Sequence, residues 1–118
     1  MPNRARHARF GFGPDRRLSR RGDFERLLTH GTRRSFSGYT FYLERRGAGA
    51  PRLGILVSKR HSAKATERNG IKRCIREAFR LEQSRLEGLD VLIRPPLAAR
   101  ASGAMLARVR ELLGRIAS

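Results

Sequence analysis

The segment from Lys59 to Arg80 carries the side chains best suited to bind phosphate groups. It contains eight Lys or Arg residues but only two acids, Glu67 and Glu77. On a helix, these cations project at spacings that meet successive phosphates, and each Arg is able to donate two parallel hydrogen bonds. A merely solvated helix face usually interleaves acids with bases, and this one has almost none. The candidate phosphate and sugar contacts are Lys59, Arg60, Arg68, Asn69, Lys72, Arg73, Arg76 and Arg80.

A second candidate site combines two aromatic rings with nearby arginines. If the first helix packs across the sheet, Phe24 and Tyr42 lie near each other. Arg20, Arg21 and Arg52 then stand at the rim of the groove. Rings beside cations hold single-stranded nucleic acid by stacking, at about 1 to 3 kcal/mol per base. The same spacing suits two core residues equally well, so both interpretations of the two rings stay open at this point.

No set of side chains in the sequence is arranged for hydrolysis or metal binding. A protein nuclease needs clustered carboxylates or a base beside a nucleophile, and the ten acids are scattered. His7, His30 and His61 lie in or beside basic loops without ligand spacing, so we expect them to be solvated or to face RNA. The single cysteine, Cys74, excludes a disulfide framework and is expected to be a small buried hydrophobe. We therefore predict no catalytic residue, no metal site and no cofactor held by the protein.

The overall charge restricts the partners of the protein. The chain has 118 residues, with 27 Lys and Arg against 10 Asp and Glu, and a formal net charge of +17. Solubility requires a net charge of only about 2 to 8, so nucleic acid is the expected partner. Cations spread over several elements disfavour a membrane surface. No apolar run approaches the roughly 20 residues of a membrane span, and no secretory signal is recognised, so we expect a cytoplasmic protein.

The first half of the chain predicts a basic arm, a helix and strands. Residues 1–17 carry five Arg among Pro, Gly and small residues and are expected to form a flexible arm, followed by a single domain over residues 18–118. Ser19 is a candidate cap for a helix over residues 19–30, with Gly31 as its left-handed terminal residue. Two antiparallel strands, 39–43 and 52–58, flank a Gly-rich turn, and a weaker strand signal precedes them near 33–36.

The second half of the chain predicts an amphipathic helix, a buried strand and a final helix. Thr66 is the candidate cap of the amphipathic helix. Residues 90–94 form a strand stopped by Pro95 and Pro96, and the last helix starts near Ser102. The order α-β-β-β-α-β-α describes an α/β (α+β) two-layer sandwich with a small, mostly antiparallel sheet. The apolar side of the amphipathic helix, opposite its cations, comprises Ile71, Cys74, Ile75, Ala78 and Phe79.

The cationic side of this helix resembles the signature helix of the bacterial ribonuclease P protein subunit. In that family Arg-Asn-Arg, then Lys-Arg two residues on, then Arg-Glu, recur at the spacing seen here. The matching residues are Arg68-Asn69, Lys72-Arg73 and Arg76-Glu77 in the helix, Asp23-Phe24 and Gly31 before it, Arg52-Leu53-Gly54-Ile55 with Val57-Ser58-Lys59 in the central strand, and Asp90-Val91 in the last strand. The resemblance covers residues 18–95.

The resemblance implies a fold and a set of partners. The family fold is a small α/β sandwich whose signature helix joins two parallel strands by a left-handed crossover, an exception to the right-handed rule. It also implies one protein bound to one large catalytic RNA, which requires Mg²⁺ and hydrolyses precursor tRNA to free the mature 5′ end. The signature helix then faces that RNA, and a cleft between the first helix and the sheet holds the single-stranded 5′ leader. By this resemblance, the RNA-facing residues are Arg68, Asn69, Lys72, Arg73 and Arg76, and the cleft residues are Phe24, Leu28 and Tyr42.

Two residues depart from the family pattern. Gly70 stands where the family has a second Arg, which removes one expected phosphate contact and loosens the helix start by up to about 1 kcal/mol. Leu28 stands where an aromatic residue is common, so stacking there becomes apolar contact.

Two other classes of nucleic-acid-binding protein have a similar composition. A structural RNA-binding protein of ribosomal-protein type, without a catalytic partner, needs the same counterion-releasing cations. A double-stranded DNA binder is disfavoured, because no compact helix-turn-helix spacing precedes the basic helix. Copurifying RNA distinguishes the first alternative, since ribosomal RNA supports it and one long RNA with tRNA-processing activity contradicts it.

Overall fold

A computed structural model describes residues 17–18 and 21–117, and this part of the chain forms three α-helices and four strands. The elements are α1 Arg21–His30, β1 Thr32–Phe36, β2 Tyr39–Arg45, β3 Arg52–Ile55, α2 Ala65–Glu82, β4 Leu89–Arg94 and α3 Gly103–Ala117, with a 3₁₀ turn Gln83–Arg85 after α2. From residue 21 onward their order is the predicted one. The cap predicted at Ser19 and the arm over residues 1–16 lie outside the described residues. None of the described helices is long and apolar enough to span a bilayer.

The strands form one mixed sheet in the order β1-β2-β4-β3. β1 pairs with β2, and β2 with β4, in antiparallel fashion, whereas β3 and β4 are parallel. Helix α2 therefore joins two adjacent parallel strands, and the α+β class is confirmed. The left hand of this crossover stays a prediction.

β2 and β3 run in opposite directions, as predicted, but they are not hydrogen-bonded neighbours. β4 lies between them, antiparallel to β2 and parallel to β3. Five of the six residues of β4 are buried, and a strand that is apolar on both faces is stabilised at the centre of a sheet. β3 ends at Ile55, so it is also shorter than the predicted span 52–58.

The turn between β1 and β2 explains why β1 forms despite its weak strand signal. Ser37 and Gly38 both have positive φ, at 52° and 84°. Two such residues make the tight turn whose twist matches that of a hairpin. Gly31, in contrast, does not adopt the left-handed conformation expected of it. A side chain there would meet the carbonyl oxygen of Leu27 at 2.5 Å, so close packing at the end of α1 requires glycine.

Successive side chains of each strand point to opposite sides of the sheet, and different helices cover the two sides. One face packs against α2 and α3 in the main core, and the other packs against α1 in a smaller cluster. On the first face lie Tyr39, Phe41, Leu43, Leu53, Val91 and Ile93. The smaller cluster comprises Leu18, Leu27, Tyr42 and Leu92, with Phe24 and Leu56 partly buried beside it. We call the second side of the sheet the α1 face.

The start of α2 differs from the prediction. The helix begins at Ala65 after Lys64, which makes no side-chain cap, so Thr66 lies within the first turn. Ser62 links the preceding loop to this turn: its Oγ accepts from the Lys64 N–H at 3.2 Å and donates to the Glu67 carboxylate. The hydroxyl lowers the pKa of Glu67. An acid in the first turn is also favoured by the helix dipole.

The start of α3 agrees with the prediction. The Oγ of Ser102 accepts a hydrogen bond from the Met105 N–H at 3.0 Å, which is the usual N-cap geometry. Val109, Leu113 and Ile116 then lie in the main core.

Candidate nucleic-acid interface

Helix α2 separates an apolar face from a cationic face, as the sequence predicts. Ile71, Ile75, Ala78 and Phe79 are completely buried. On the opposite side Arg73 and Asn69 are exposed, and Lys72, Arg76 and Arg80 are half-buried. Cys74 is only half-buried, with Sγ 3.6 Å from the Ser102 carbonyl oxygen, because it lies where α2 meets the start of α3.

The candidate cations of α2 differ in whether they already have partners. Arg80 forms two hydrogen bonds to Glu77, at 2.9 and 2.7 Å, and Arg68 donates to backbone carbonyls that precede the helix. Lys72, Arg73 and Arg76 have no carboxylate partner among the described residues. We call these three residues the uncompensated row of α2.

Like charges surround the last member of this row. Burial lowers the pKa of Arg76, and the positive charges of Arg17 and Arg73 lower it further. Arg17 reaches this position because it forms a parallel bridge with Leu53 at the outer edge of β3. The α2 surface beside β3 is therefore a region of concentrated positive charge.

The loop before α2 holds two further candidate cations in exposed positions, Lys59 and Arg60. His61, which was expected to be solvated or to face RNA, is instead buried. Its Nε2 lies 2.9 Å from the carbonyl oxygen of Pro95, and its Nδ1 accepts a hydrogen bond from the Ser58 N–H at 3.2 Å. These bonds define a neutral ring that donates from Nε2. The histidine thus holds the loop against the end of β4.

The α1 face brings together the two rings that the sequence singled out. Phe24 is half-buried and lies over Gly54, where a Cβ atom would be 3.0 Å from its ring and 2.9 Å from Leu92. Tyr42 is 8% exposed and belongs to the same cluster. Leu28 is 44% exposed and extends this apolar surface toward solvent.

The three arginines predicted at the rim of the groove differ in their partners. The guanidinium of Arg52 donates two hydrogen bonds to Asp90, at 2.9 and 2.7 Å, so it is directed toward the sheet. Arg21 is highly exposed and pairs with Glu25 at 2.9 Å within α1. Arg20 lies outside the described residues.

Sequence reasoning missed an ion network that ties α1 to the sheet. Asp90 is completely buried and forms ion pairs with Arg26, Arg46 and Arg52, at N···O distances between 2.7 and 3.1 Å. Hydrogen bonds to Asp90 raise the pKa of Arg52. The only signal in the sequence was an acid at the start of an otherwise apolar strand, which must find cations when it is buried.

Arg26 extends this network to two more acids. It donates to Asp23 at 2.9 Å and to Glu44 at 2.8 Å, and these hydrogen bonds raise its pKa. We call the six residues Asp23, Arg26, Glu44, Arg46, Arg52 and Asp90 the Asp90 network. Among the described residues, no three His, Cys, Asp or Glu side chains are grouped so as to hold a metal ion.

Comparison with known proteins identifies the family. A model of the family described as Ribonuclease P matches residues 12–117. This chain belongs to the ribonuclease P protein family. The ribonuclease P protein component of Methylococcus capsulatus is 36% identical over 104 residues, covering 86% of this chain and 80% of that one. The component from Legionella pneumophila is 31% identical over 111 residues, covering 92% and 96%. That from Nitrosococcus oceani is 37% identical over 84 residues, or 71% of each chain.

Solved ribonuclease P proteins share the fold. The protein from Thermotoga maritima matches with a TM-score of 0.66 at 28% identity, covering 84% of this chain and 96% of that one. A Staphylococcus aureus ribonuclease P protein, a mutant described as defective in mRNA degradation, matches with a TM-score of 0.71 at 27% identity, covering 86% and 85%. This ribonuclease P protein therefore has the α+β fold of its family and is a subunit of a tRNA-processing complex.

Proposed function

We propose that the protein binds the catalytic RNA of ribonuclease P through α2 and the loop before it. The observation that carries this proposal is the uncompensated row of Lys72, Arg73 and Arg76, flanked by Arg17. Phosphates of a folded RNA supply the anions that this surface lacks, and binding releases their counterions. Lys59 and Arg60 extend the same surface toward the loop.

The second part of the proposal concerns the 5′ leader of precursor tRNA, which binds the α1 face of the sheet. The exposed side chain of Leu28 and the half-buried ring of Phe24 provide apolar contact for unpaired bases. Helix α1 is fixed over the sheet by the Asp90 network, so this contact surface is formed before the leader binds.

The chemical step belongs to the RNA in this proposal. Acids of the described chain that lie near the α1 face are paired with arginines, which leaves the protein a binding role. The RNA holds the Mg²⁺ ions that the reaction requires. One protein binds one RNA, and the complex acts in the bacterial cytoplasm. The protein thereby assists endonucleolytic removal of the leader without contributing a catalytic residue.

The salt dependence of RNA binding tests the role of the uncompensated row. We expect Lys72→Ala or Arg73→Ala to weaken binding to ribonuclease P RNA and to lower the slope of log affinity against log salt by about 1 each. Arg108→Ala is the matched control, because Arg108 is an exposed helical arginine already paired with Glu111 at 3.1 Å. An unchanged slope in the α2 variants, or an equal change in the control, contradicts the proposal.

Reconstitution of the complex tests whether the RNA catalyses the cleavage and the protein only assists it. With a bacterial ribonuclease P RNA, precursor tRNA and low Mg²⁺, adding the protein should stimulate cleavage at the mature 5′ end. The protein without RNA should cleave nothing. Cleavage by RNA-free protein that is abolished by replacing one of its acids overturns the assignment of catalysis to the RNA. Exclusive copurification with ribosomal RNA supports the ribosomal-type alternative instead.

A further inference from the structure

The strand register places two exposed arginines on the α1 face of the sheet. Arg33 is the cross-strand partner of Tyr42, and Arg94 is that of Thr40. Directly opposed residues project from the same face of a sheet, so both arginines lie on the side of Tyr42. Both are exposed.

The charges of the α1 face are balanced at one end only. At the end covered by α1, the Asp90 network contains three acids and three arginines, so its formal charges cancel. At the other end, Arg33 and Arg94 form no ion pair with any described residue. The side chains between them, Thr40 and Ser35, are uncharged. Positive potential therefore rises across this face away from the buried carboxylate of Asp90.

The spacing of the two arginines suits an extended strand of nucleic acid. They are separated by two strand spacings across the sheet and by two residues along it, which places their Cα atoms about 12 Å apart. Thr40 and Tyr42, between the two arginines, are only 7% and 8% exposed, so a nucleic-acid strand that bridges the arginines lies above these buried side chains and meets the exposed guanidiniums on either side. On the same face, Leu28 offers exposed apolar surface to its bases.

We propose that Arg33 and Arg94 contact the phosphates of the single-stranded 5′ leader and strengthen the preference of the complex for precursor over mature tRNA. The inference rests on the proposed function and deepens it. It gives Arg52 a different role, since the guanidinium of Arg52 is held by Asp90 and stabilises the fold. Neither arginine is indicated by local sequence, because only the sheet register places Arg33 opposite Tyr42 and Arg94 opposite Thr40.

The test uses the enzyme reconstituted from the full chain and a ribonuclease P RNA. Binding is measured for mature tRNA and for precursor tRNAs with leaders of increasing length. We expect Arg33→Ala and Arg94→Ala each to weaken precursor binding about two- to fivefold and to lower its salt slope by about 1. Mature tRNA binding should not change, and the loss should appear only once the leader is long enough to reach the substituted position.

Arg45→Ala is the matched control. Arg45 is an exposed arginine at the end of β2, and its partner Leu89 places it on the opposite face of the sheet. The variants Arg33→Lys and Arg94→Lys, which keep the charge, should retain most of the preference. They also keep the test valid if an alanine variant folds poorly by circular dichroism.

Three outcomes overturn the inference. Equal losses for precursor and mature tRNA would assign the arginines to assembly or folding. Losses in Arg45→Ala as large as in the other variants would indicate a general effect of charge. An unchanged preference in both alanine variants, while the unmodified complex still distinguishes the two tRNAs, would reject the two contacts and leave the proposed function intact. If the unmodified complex binds both tRNAs equally, the proposed leader site itself fails.

Discussion

Replacing Asp90 with Asn tests whether the Asp90 network stabilises the fold. Asn has nearly the shape of Asp but no charge, so Arg26, Arg46 and Arg52 lose their shared anion while their side chains stay only 28–35% exposed. Arg26 keeps its hydrogen bonds to Asp23 and Glu44, but Arg46 and Arg52 lose the carboxylate that pairs with them. Folding should therefore become less favourable.

The magnitude follows from the burial of the carboxylate. Removing one partner from a buried ion pair costs about 3 to 5 kcal/mol. Since the three arginines are partly solvated, we expect the loss for Asp90→Asn to lie near the lower value, about 3 kcal/mol. A domain of this size loses about 4 °C in melting temperature per kcal/mol, so the midpoint should fall by about 12 °C.

Urea and thermal unfolding followed by circular dichroism measure this effect. The matched control is Glu25→Gln, which breaks the pair between Arg21 and Glu25, whose side chains are 92% and 62% exposed. That change should cost less than about 0.5 kcal/mol. A loss below about 1 kcal/mol for Asp90→Asn, or one no larger than that of the control, refutes the argument that the network stabilises the fold.

Three further changes test other parts of the structure. Gly54→Ala should destabilise the fold by about 1 to 3 kcal/mol in urea unfolding, because the added methyl group overlaps the ring of Phe24; an unchanged midpoint would contradict this packing. His61→Ala should cost about 1 to 3 kcal/mol, since it removes both hydrogen bonds of a buried ring, and hydrogen exchange should rise in the loop before α2. The hydrogen bonds from Arg80 lower the pKa of Glu77 below its ordinary value of 4.5. The pairing of these two residues therefore stabilises the fold above pH 4.5, and this contribution is lost as the pH falls through the pKa of Glu77 in the folded protein. Stability of the Glu77→Gln variant should accordingly fall below that of the unmodified protein at pH 6, and the difference should shrink as the pH falls below 4.5; a difference that does not change with pH would assign the effect to packing.

Features that depend on local backbone geometry are predictable from the sequence. The two faces of α2 follow from the period of a helix, and Ile71 and Arg73 take opposite sides whatever the helix packs against. The strand at β4 and its end before Pro95 were likewise predictable, because an apolar run and a proline act on the backbone locally. For the same reason the cationic part of the candidate site is evident from the sequence alone.

Contacts between residues on different strands depend on the order of the strands in the sheet. Only the insertion of β4 between β2 and β3 brings Asp90 beside Arg52, and a buried carboxylate then binds an arginine that the sequence alone would leave at the rim of a cleft. The same long-range pairing places Arg33 next to Tyr42. Burial of His61 depends on the approach of Pro95, 34 residues away. Such contacts join residues far apart in the chain, so no local period or propensity indicates them.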